Sequence, residues 1–297
     1  MEAAVSPQRA VDAVRDAFIA HARGEWTMPP KVYVTNYPAG DFRAMPALGG
    51  GHAILKWVTS FPGNPARGLP TVTGLVLMSD AETGELLAVL DAAAVTALRT
   101  GAAAVLAAET LGRADAKTAA VIGAGVNGSA AARTFVARGR DVMVWDVDPE
   151  RAQRVADELG ASVGSREEAL AADLVVTVTP GHEVVLTEGT LHPGQHVSLM
   201  GADGPGKAEA ADAELLRAQL FCDDWEQASH GGELAHVAVS QADVTAIGDV
   251  LAGAADGRRS DDEITMFDST GLAIQDLAIA LAAFEASGEL DLQTLQL

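Results

Sequence analysis

The stretch Ala119-Ala120-Val121-Ile122-Gly123-Ala124-Gly125-Val126-Asn127-Gly128 decides the fold of this chain. Its first four residues are apolar and predict a short buried strand, the glycines predict a tight turn, and the alanine-rich segment that follows predicts a helix. In a dinucleotide site, Gly123 permits the turn, Gly125 leaves room for a pyrophosphate, and Gly128 lets the helix pack closely on the sheet. The free N–H groups at the start of that helix would then face the phosphates.

A second predicted strand supports a dinucleotide site. The apolar run Val142-Met143-Val144-Trp145 ends at Asp146, which follows Gly123 by about 20 residues, the spacing of an acid that binds the adenosine ribose hydroxyls. An ordinary strand–helix–strand unit with glycines at its turns would give a similar pattern, but strand, loop, helix and acid together favour the cofactor. The carboxylate of Asp146 would repel a 2′-phosphate, so we expect NAD, with NADP as the alternative.

Composition and charge narrow the class of protein. The 297 residues are 48% hydrophobic, which is typical of a globular chain with a sizeable core. The net charge of −21 argues against nucleic acid and against anionic membrane surfaces as partners. The many acids and few lysines are typical of a surface adapted to high salt. A chain whose composition simply favours alanine and arginine would show the same scarcity of lysine, and we weigh the two explanations equally. The first residues do not resemble a signal peptide, and one cysteine allows no internal disulfide, so we expect a cytoplasmic protein.

The first third of the chain predicts a helix over 7–23 and then a mostly antiparallel sheet. Its apolar, β-branched runs are 32–34, 52–58, 71–78 and 86–90. The Gly- and Pro-rich segment 36–51 is predicted to be a connection. Asp91 is a predicted N-cap for a long apolar helix over 92–111, in which Gly101 indicates close packing or a backbone break near Arg99.

From Lys117 onward, predicted strands alternate with helices, as in a doubly wound sheet. Ligands bind outside the carboxyl ends of such strands, so Thr179 and Asp203, both at strand ends, are expected near the glycine loop. The predicted fold class is α/β, with a Rossmann-type doubly wound domain and a mostly antiparallel α+β domain. We place the boundary at 112–117, which gives a first domain of 1–113, rejoined by a C-terminal helix within 272–297, and a second domain of 114–271.

Seven motifs, in order along the chain, resemble those of the ornithine cyclodeaminase and mu-crystallin family, which includes archaeal-type alanine dehydrogenases. Besides the glycine loop they are Leu55-Lys56-Trp57-Val58, Gly68-Leu69-Pro70-Thr71-Val72-Thr73, Thr96-Ala97-Leu98-Arg99-Thr100-Gly101, Trp145-Asp146-Val147-Asp148-Pro149, Gly201-Ala202-Asp203-Gly204-Pro205-Gly206-Lys207 and Phe267-Asp268-Ser269-Thr270-Gly271. The resemblance implies hydride transfer between the Cα of an amino acid and a nicotinamide, through an imino acid. It also implies a homodimer, with the first domain binding substrate and forming the dimer interface.

The resemblance assigns roles to particular residues. Lys56 and Arg99 match the family's carboxylate-binding lysine and arginine, and Asp203 matches its catalytic acid/base, with Lys56 beside it in the catalytic set. Taken alone, each has an ordinary structural interpretation: a strand-surface lysine, a salt-bridged arginine and a turn aspartate. The residues implied to contact the cofactor are Thr71, Arg99, Thr100, Gly123, Ala124, Gly125, Val126, Asn127, Asp146, Thr179, Met200, Gly201, Asp203, Lys207 and Ser269.

One position departs from the family pattern. In ornithine cyclodeaminases an acid two residues before the Met-Pro pair receives the distal amine of the substrate, and Arg43 stands there in Arg43-Ala44-Met45-Pro46. A cation would repel ornithine, so Arg43 favours an alanine-dehydrogenase-like enzyme, an imine reductase or a substrate with a second anionic group. Lys31 lies near the position of a further substrate-binding arginine.

Three functional hypotheses stay open from the sequence. They are an NAD(P)-dependent amino or imino acid oxidoreductase, a cyclodeaminase that recycles its NAD, and a non-catalytic ligand-binding protein like a mu-crystallin. No metal site is expected, because Pro193 and Gly194 between His192 and His196 preclude the helical spacing of two ligands.

Overall fold

The computed structural model describes residues 3–204 and 206–293. Strands lie at β1 (Val32–Asn36), β2 (Gly40–Gly49), β3 (His52–Ser60), β4 (Val72–Asp80), β5 (Leu86–Asp91), β6 (Ala119–Ile122), β7 (Val142–Trp145), β8 (Ser162–Val163), β9 (Leu174–Thr177), β10 (His196–Leu199), β11 (Gln219–Cys222), β12 (Val244–Ala246) and β13 (Thr265–Asp268). Helices lie at α1 (Pro7–Ala22), α2 (Ala92–Leu111), α3 (Val126–Ala137), α4 (Pro149–Leu159), α5 (Arg166–Leu170), α6 (Asp212–Leu216), α7 (Trp225–Gly231), α8 (Ile247–Leu251) and α9 (Ala273–Glu285). Short 3-10 helices occur at Asn64–Arg67, Glu233–Ala235, Gln241–Asp243 and Ser287–Glu289.

The chain divides into two compact units, Met1–Arg99 with Ala273–Leu297, and Thr100–Leu272. The predicted α/β fold class is confirmed, with an antiparallel sheet in the first unit and a parallel sheet in the second. The sequence places the boundary at 112–117, whereas the compact units divide between Arg99 and Thr100, within α2. The later part of α2 groups with the second unit because it bonds there: Ser198 Oγ donates to the carbonyl of Ala104. Residues 294–297 of the predicted C-terminal helix lie outside the described residues.

The first unit is a five-stranded antiparallel sheet in the order β1-β2-β3-β4-β5. Helices α1 and α9 pack together, and α9 also packs on β2 and β3. Along β3, Ile54, Lys56 and Val58 are buried, whereas Leu55 and Trp57 are exposed. The strand therefore has an inner face toward α9 and an outer face. Exposed apolar side chains of this outer face are Val32, Val34, Leu48, Leu55, Trp57, Leu75 and Val89.

The prediction that 36–51 is a connection is wrong, because most of this segment forms strand β2. Gly40–Gly49 pairs with β1 on one side and β3 on the other, and Gly50 and Gly51 form the turn into β3. Burial alternates along the folded strand, since Asp41, Met45 and Ala47 are buried on the inner face. The sequence does not show this alternation, because polar residues and a proline interrupt the apolar pattern.

Pro46 is compatible with this strand because its nitrogen needs no partner. Leu48 exchanges two backbone hydrogen bonds with Thr27, which shows that even-numbered residues of β2 direct their N–H groups toward the β1 edge. Pairing with β1 ends at Ala44, so Pro46 lies beyond it. A proline that faces an unpaired stretch of strand edge costs no ladder bond.

The second unit is an eight-stranded parallel sheet in the order β12-β11-β13-β10-β9-β6-β7-β8. The run from β8 to β10 follows the 3-2-1-4-5 order of the dinucleotide-binding fold, and its direction reverses between β6 and β9. Both strands at this reversal are fully buried, as expected for a sheet covered by helices on both faces. Ligands of such sheets bind at the carboxyl edge of the reversal point.

Among the described residues, α2 is the one helix whose length and hydropathy would suffice to cross a membrane. Most of it is buried inside the folded protein, and its alanines from Ala102 to Ala108 are inaccessible.

Candidate functional site

The glycine loop has the geometry that the sequence predicts. Gly123 has φ +103°, and a Cβ there would meet the carbonyl of Val178 at 2.8 Å. Gly128 sits in the first turn of α3, where a Cβ would meet the carbonyl oxygen of Gly123 at 1.7 Å. Gly125 faces open space, with no heavy atom within 4 Å of an added Cβ. The loop therefore packs tightly on the protein side and leaves its Gly125 side open to a ligand.

The start of α3 fits a bound phosphate. Its N-cap is Gly125, which provides no side-chain acceptor for the N–H groups of the first turn. Those N–H groups and the positive end of the helix dipole suit the pyrophosphate of a dinucleotide. The residues present thus fit NAD at this loop, with Val126 and Asn127 in the first turn beside it.

Asp146 is fixed directly beside the glycine loop. It follows β7, which pairs with β6 so that Trp145 lies opposite Ile122. Its carboxylate accepts the N–H of Ala124 at 2.6 Å and that of Asp148 at 2.8 Å. A carboxylate has about four acceptor positions, so capacity for ribose hydroxyls is left.

Arg151, which was not among the predicted site residues, lies next to this acid. Its Nη1 is 3.4 Å from Asp146 Oδ1, and the side chain is half-exposed. An arginine at this position can accommodate a 2′-phosphate, so it weakens the argument against NADP that Asp146 alone provides. The sequence holds the clue, since Arg151 lies in the first turn of the helix that follows β7.

Other predicted cofactor residues collect at the carboxyl edge of the same sheet. In the register, Leu199 lies opposite both Thr177 and Asp268, so β9, β10 and β13 end at the same level. Four predicted cofactor residues follow these strands by one or two positions: Thr179, Met200, Gly201 and Ser269. Ser269 Oγ donates to Asp223 Oδ2 at 2.9 Å and is buried. The doubly wound topology therefore places these residues at one edge of the sheet. Thr100 is buried on α2, in the same unit.

Glu209 ties two of these strand ends together, and it was not predicted. Its carboxylate accepts the N–H of Thr179 at 2.6 Å, the N–H of Gly201 at 2.8 Å and the hydroxyl of Thr177 at 2.7 Å. Burial raises the pKa of Glu209 to about 7, against these hydrogen bonds, which lower it. A buried acid whose pKa lies near neutral pH is typical of a functional region. Nothing in the local sequence distinguishes Glu209 from a surface acid.

Asp203, the predicted acid/base, lies in the loop after β10. Its Oδ1 is 2.5 Å from Lys207 Nζ, and both side chains are about a third exposed. The ion pair joins two residues that were predicted separately, one for proton transfer and one for cofactor contact. Pro205, between them, lies outside the described residues.

In the first unit, the predicted substrate cations meet a buried acid. Lys56 Nζ lies 2.8 Å from Asp276 Oδ1, and both side chains are inaccessible to solvent. Arg99 Nε is 3.5 Å from the same oxygen, and its Nη1 donates to Gln275 Oε1 at 3.4 Å. Asp276 Oδ2 is buried without a hydrogen-bond partner among the described residues. Two cations thus share one carboxylate, which leaves positive charge for a substrate carboxylate.

The charge state of Lys56 depends on this cluster. Burial lowers its pKa to about 8, although Asp276 raises it, and Arg99 and Arg43 lower it further. Asp276 was missed in the sequence, although an acid on the mostly apolar helix α9 is the kind of exception that marks a buried pair. Its partner lies 220 residues earlier, which no local pattern reveals.

Arg43 also has an internal partner. Its Nε donates to Asp41 Oδ1 at 2.7 Å and its Nη2 to Asp41 Oδ2 at 3.3 Å. Lys31 directly precedes β1 and Thr71 directly precedes β4, and both are partly buried. The first unit therefore holds Lys31, Arg43, Lys56, Thr71 and Arg99, and the remaining predicted site residues belong to the second.

No group of three or more His, Cys, Asp or Glu side chains suited to a metal ion occurs within the described ranges. His196 instead bonds the hydroxyls of Thr265 and Ser198, and burial lowers its pKa to about 3.

The chain is similar in sequence to a known protein family. A model described as the ornithine cyclodeaminase/mu-crystallin family matches residues 1–289. An alanine dehydrogenase of Archaeoglobus fulgidus is 45% identical over 301 residues, covering 96% of this chain and 92% of the relative.

Solved structures extend the similarity to the fold. An archaeal alanine dehydrogenase dimer with bound NAD superimposes with a TM-score of 0.92 at 42% identity, covering 97% of this chain and 93% of that one. A Δ1-pyrroline-2-carboxylate reductase of Thermococcus litoralis, in complex with NADH and L-proline, gives a TM-score of 0.90 at 27% identity, with coverage of 97% and 95%.

Proposed function

Since the chain belongs to the ornithine cyclodeaminase/mu-crystallin family, we propose that it is an NAD-dependent oxidoreductase of amino and imino acids, acting like an alanine dehydrogenase. The observation that carries the proposal is the buried group of Lys56 and Arg99 on the single carboxylate of Asp276. Buried cations in excess of their counter-ions favour an anionic ligand. The second unit supplies the glycine loop and Asp203.

Each side chain has a defined task in this proposal. Lys56 and Arg99 bind the substrate carboxylate, Arg99 through the planar fork of its guanidinium and Lys56 as a point charge. Asp203 takes up a proton from the substrate amine or from an attacking water, and the ion pair with Lys207 holds its carboxylate in place. The chemistry that a bound NAD would supply is hydride transfer to or from the substrate Cα.

The cofactor is held by the residues around the glycine loop. The N–H groups at the start of α3 bind the pyrophosphate, and Asp146 accepts hydrogen bonds from the ribose hydroxyls. Thr179, Met200, Gly201 and Ser269, at the neighbouring strand ends, would hold the nicotinamide end. Asp146 favours NAD, and turnover that clearly prefers NADP would contradict its assignment.

The experiment that tests this function is a screen of nicotinamide absorbance at 340 nm. Small 2-oxo acids with ammonia or methylamine are tested with NADH, and L-amino acids with NAD in the reverse direction. We expect turnover with pyruvate and ammonia and with L-alanine. Proline formed from L-ornithine without net NADH would instead support a cyclodeaminase. NADH binding without turnover over the whole panel would support a ligand-binding protein.

We further propose a homodimer that forms through the outer face of the first unit and works in the cytoplasm. Seven large apolar side chains are exposed on this one sheet face, far more than scattered surface residues would give. The similar archaeal alanine dehydrogenase is described as a dimer. The cytoplasmic assignment is supported by the single cysteine, which is buried and unpaired.

A further inference from the structure

Two fully buried carboxylates lie close together in the second unit. Glu209 accepts hydrogen bonds from the N–H groups of Thr179 and Gly201, and so holds the chain where it leaves β9 and β10. Glu233 lies in the 3-10 helix Glu233–Ala235, and it is inaccessible to solvent, as Glu209 is. A buried carboxylate is stable only with hydrogen-bond partners, because loss of hydration is costly. The position of each acid therefore depends on what it bonds.

Glu233 fixes the backbone that carries Glu209. Its Oε1 accepts the N–H of Glu209 at 2.7 Å, and its Oε2 accepts the N–H of Ala210 at 3.2 Å. The carbonyl of Glu209 in turn accepts the N–H groups of Val185 and Leu186, at 2.8 and 2.9 Å. The main chain at Glu209 is thus held by a carboxylate as well as by a neighbouring segment. If Glu233 moves, the carboxylate of Glu209 loses part of its support.

His236 is a cation that faces Glu233. Its Nε2 is 3.1 Å from Glu233 Oε2, and its Nδ1 is 2.7 Å from Asp212 Oδ1 in α6. Both ring nitrogens thus face carboxylate oxygens, and only the doubly protonated ring can donate to both. The hydrogen bond to Glu233 raises the pKa of His236 to about 9, with a contribution from Asp212 and against the effect of burial. The side chain is 29% exposed, so this charge lies at the protein surface.

The charge of His236 matters because other acids lie close to Glu233. Asp268 accepts the N–H of Leu234 at 3.0 Å, and burial raises the pKa of Asp268 well above its ordinary value, with nearby acids that include Glu233 raising it further. Burial also raises the pKa of Glu209, and the charge of Glu233 adds to this effect. If His236 loses its proton, repulsion from these acids favours protonation or displacement of Glu233. Either change weakens the hold of Glu233 on the backbone of Glu209.

We propose that His236 is a positioning residue for the cofactor, which acts through Glu233 and Glu209 on the strand ends that would hold the nicotinamide. The inference rests on the proposed function, because it takes the chain after β9 and β10 as the place of the nicotinamide. It adds to that function a partly exposed histidine on whose positive charge the affinity for NADH depends, although two buried acids lie between it and the site.

Replacement of the histidine gives the first test. In His236→Asn the charge is removed, and the dissociation constant of NADH, measured by fluorescence at about pH 7.5, rises by about tenfold. His236→Arg keeps a cation whose N–H groups can reach both acids, and the constant returns to within about threefold of the unmodified protein.

The matched control is His192→Asn, because His192 is an exposed histidine that faces the backbone carbonyls of Pro193 and Ala171. This variant leaves the dissociation constant of NADH unchanged. Thermal unfolding identifies the folded variants, and binding is measured far below their melting temperatures. A role in stability alone would lower the melting temperature of His236→Asn without changing its affinity for NADH.

A double-mutant cycle tests whether the effect passes through Glu209. If His236 acts through Glu209, then His236→Asn adds little to Glu209→Gln, and the double variant binds NADH within about threefold of Glu209→Gln alone. Independent effects would multiply to about a hundredfold loss of affinity, and that result would overturn the proposed coupling.

The pH profile tests the charge without a substitution at the histidine. The charged form of His236 is lost as pH rises through about 9, so the dissociation constant of NADH for the unmodified protein rises above that pH. His236→Arg stays charged and lacks this rise. If His236→Asn does not fold, the comparison of these two profiles decides the question, and equal profiles would overturn the inference.

Cofactor binding separates this inference from the proposed function. NADH binding that stays within about twofold in folded His236→Asn overturns the inference and leaves the function standing. The expected shifts without turnover on any substrate would overturn the oxidoreductase function alone. An unmodified protein that does not bind NADH would overturn both.

Discussion

Lys56 shows how burial and charge compete at a single residue. Its ammonium group lies 2.8 Å from Asp276, yet loss of hydration outweighs this attraction and lowers the pKa to about 8. Lys56 is one of only four lysines in a chain of 297 residues. A lysine in this environment can change its charge within a pH unit or so of neutrality, which an arginine cannot do.

This shifted pKa predicts a pH limit for substrate binding. The charged form of Lys56 binds a carboxylate and is lost as pH rises through about 8. The dissociation constant of oxamate, a pyruvate analogue without a titrating group in this range, is expected to rise above that pH. Lys56→Arg stays protonated, so its oxamate binding is expected to be flat over the same range. Equal pH profiles for the two proteins would contradict the assignment.

The same residue predicts a pH trend in stability. Because the folded-state pKa of Lys56 lies below its ordinary value of 10.5, the unfolded chain binds more protons between about pH 8 and 10.5. The free energy of unfolding therefore rises with pH over this window. Chemical denaturation of the unmodified protein and of Lys56→Met measures the difference, and Lys56→Met is expected to lack the rise.

At the scale of elements, close packing of α2 on α3 depends on one glycine. A Cβ at Gly101 would meet the carbonyl carbon and oxygen of Ala130 at 2.7 Å. The helix continues from Ala92 to Leu111, so Gly101 marks close packing and not a backbone break, which settles the alternative left open by the sequence. Both helices are lined with alanine here, and small side chains let backbones approach.

Gly101→Ala is therefore expected to destabilise the protein, although alanine favours helices. The gain in helix propensity is about 1 kcal/mol, whereas overpacking against backbone costs about 1–3 kcal/mol. Gly231→Ala in α7 is the matched control, because its nearest contact would be an ordinary 3.6 Å. Denaturant unfolding measures both variants, and equal stabilities would contradict the packing argument.

Glu209 acts between elements, since it joins the ends of β9 and β10. Glu209→Gln keeps the shape of the side chain but replaces one carboxylate oxygen with an amide N–H₂. This group cannot accept a hydrogen bond, so at least one of the three groups that donate to Glu209 loses its acceptor. A buried donor left without an acceptor costs about 1–3 kcal/mol. We expect a lower melting temperature and an NADH dissociation constant raised by about tenfold. Glu150→Gln on α4, where the side chain is 90% exposed, is the control and leaves both values unchanged.

Prediction from the sequence succeeds where the physical signal is local. The glycine loop, the N-cap at Asp91 and the alternation of strands with helices in the second unit follow from composition and spacing. Asp91 Oδ1 accepts the N–H of Ala93, as an N-cap does. Strand β2 was missed because Pro46 and charged residues interrupt its alternation. Asp276, Glu209 and Asp41 were missed because their roles depend on partners that only the folded chain brings close.

At the scale of the whole molecule, one sheet face is apolar although the chain is strongly acidic. The net charge is −21, yet the outer face of the first unit is apolar. A dimer through this face would cover it and leave the acidic surfaces in water. A typical stable interface takes about 800 Å² from each partner, which a five-stranded sheet face can provide.

The dimer proposal predicts a change of mass. Light scattering on the unmodified protein is expected to give twice the chain mass of 30.5 kDa. Leu55→Glu together with Leu75→Glu places charges on adjacent central strands of the outer face and yields the monomer mass. Leu216→Glu, at an exposed apolar position of the second unit, keeps the dimer mass. A dimer that survives the double substitution would place the interface elsewhere.

The return of the chain to its first unit also sets an order of events during translation. Lys56 leaves the ribosome 220 residues before Asp276, and α1 is made long before α9, on which it packs. Thr100–Leu272 is complete while the first unit still lacks its last helix. Until α9 is synthesised, Lys56 lacks its partner Asp276, and the inner face of the first sheet lacks the helix that packs on it.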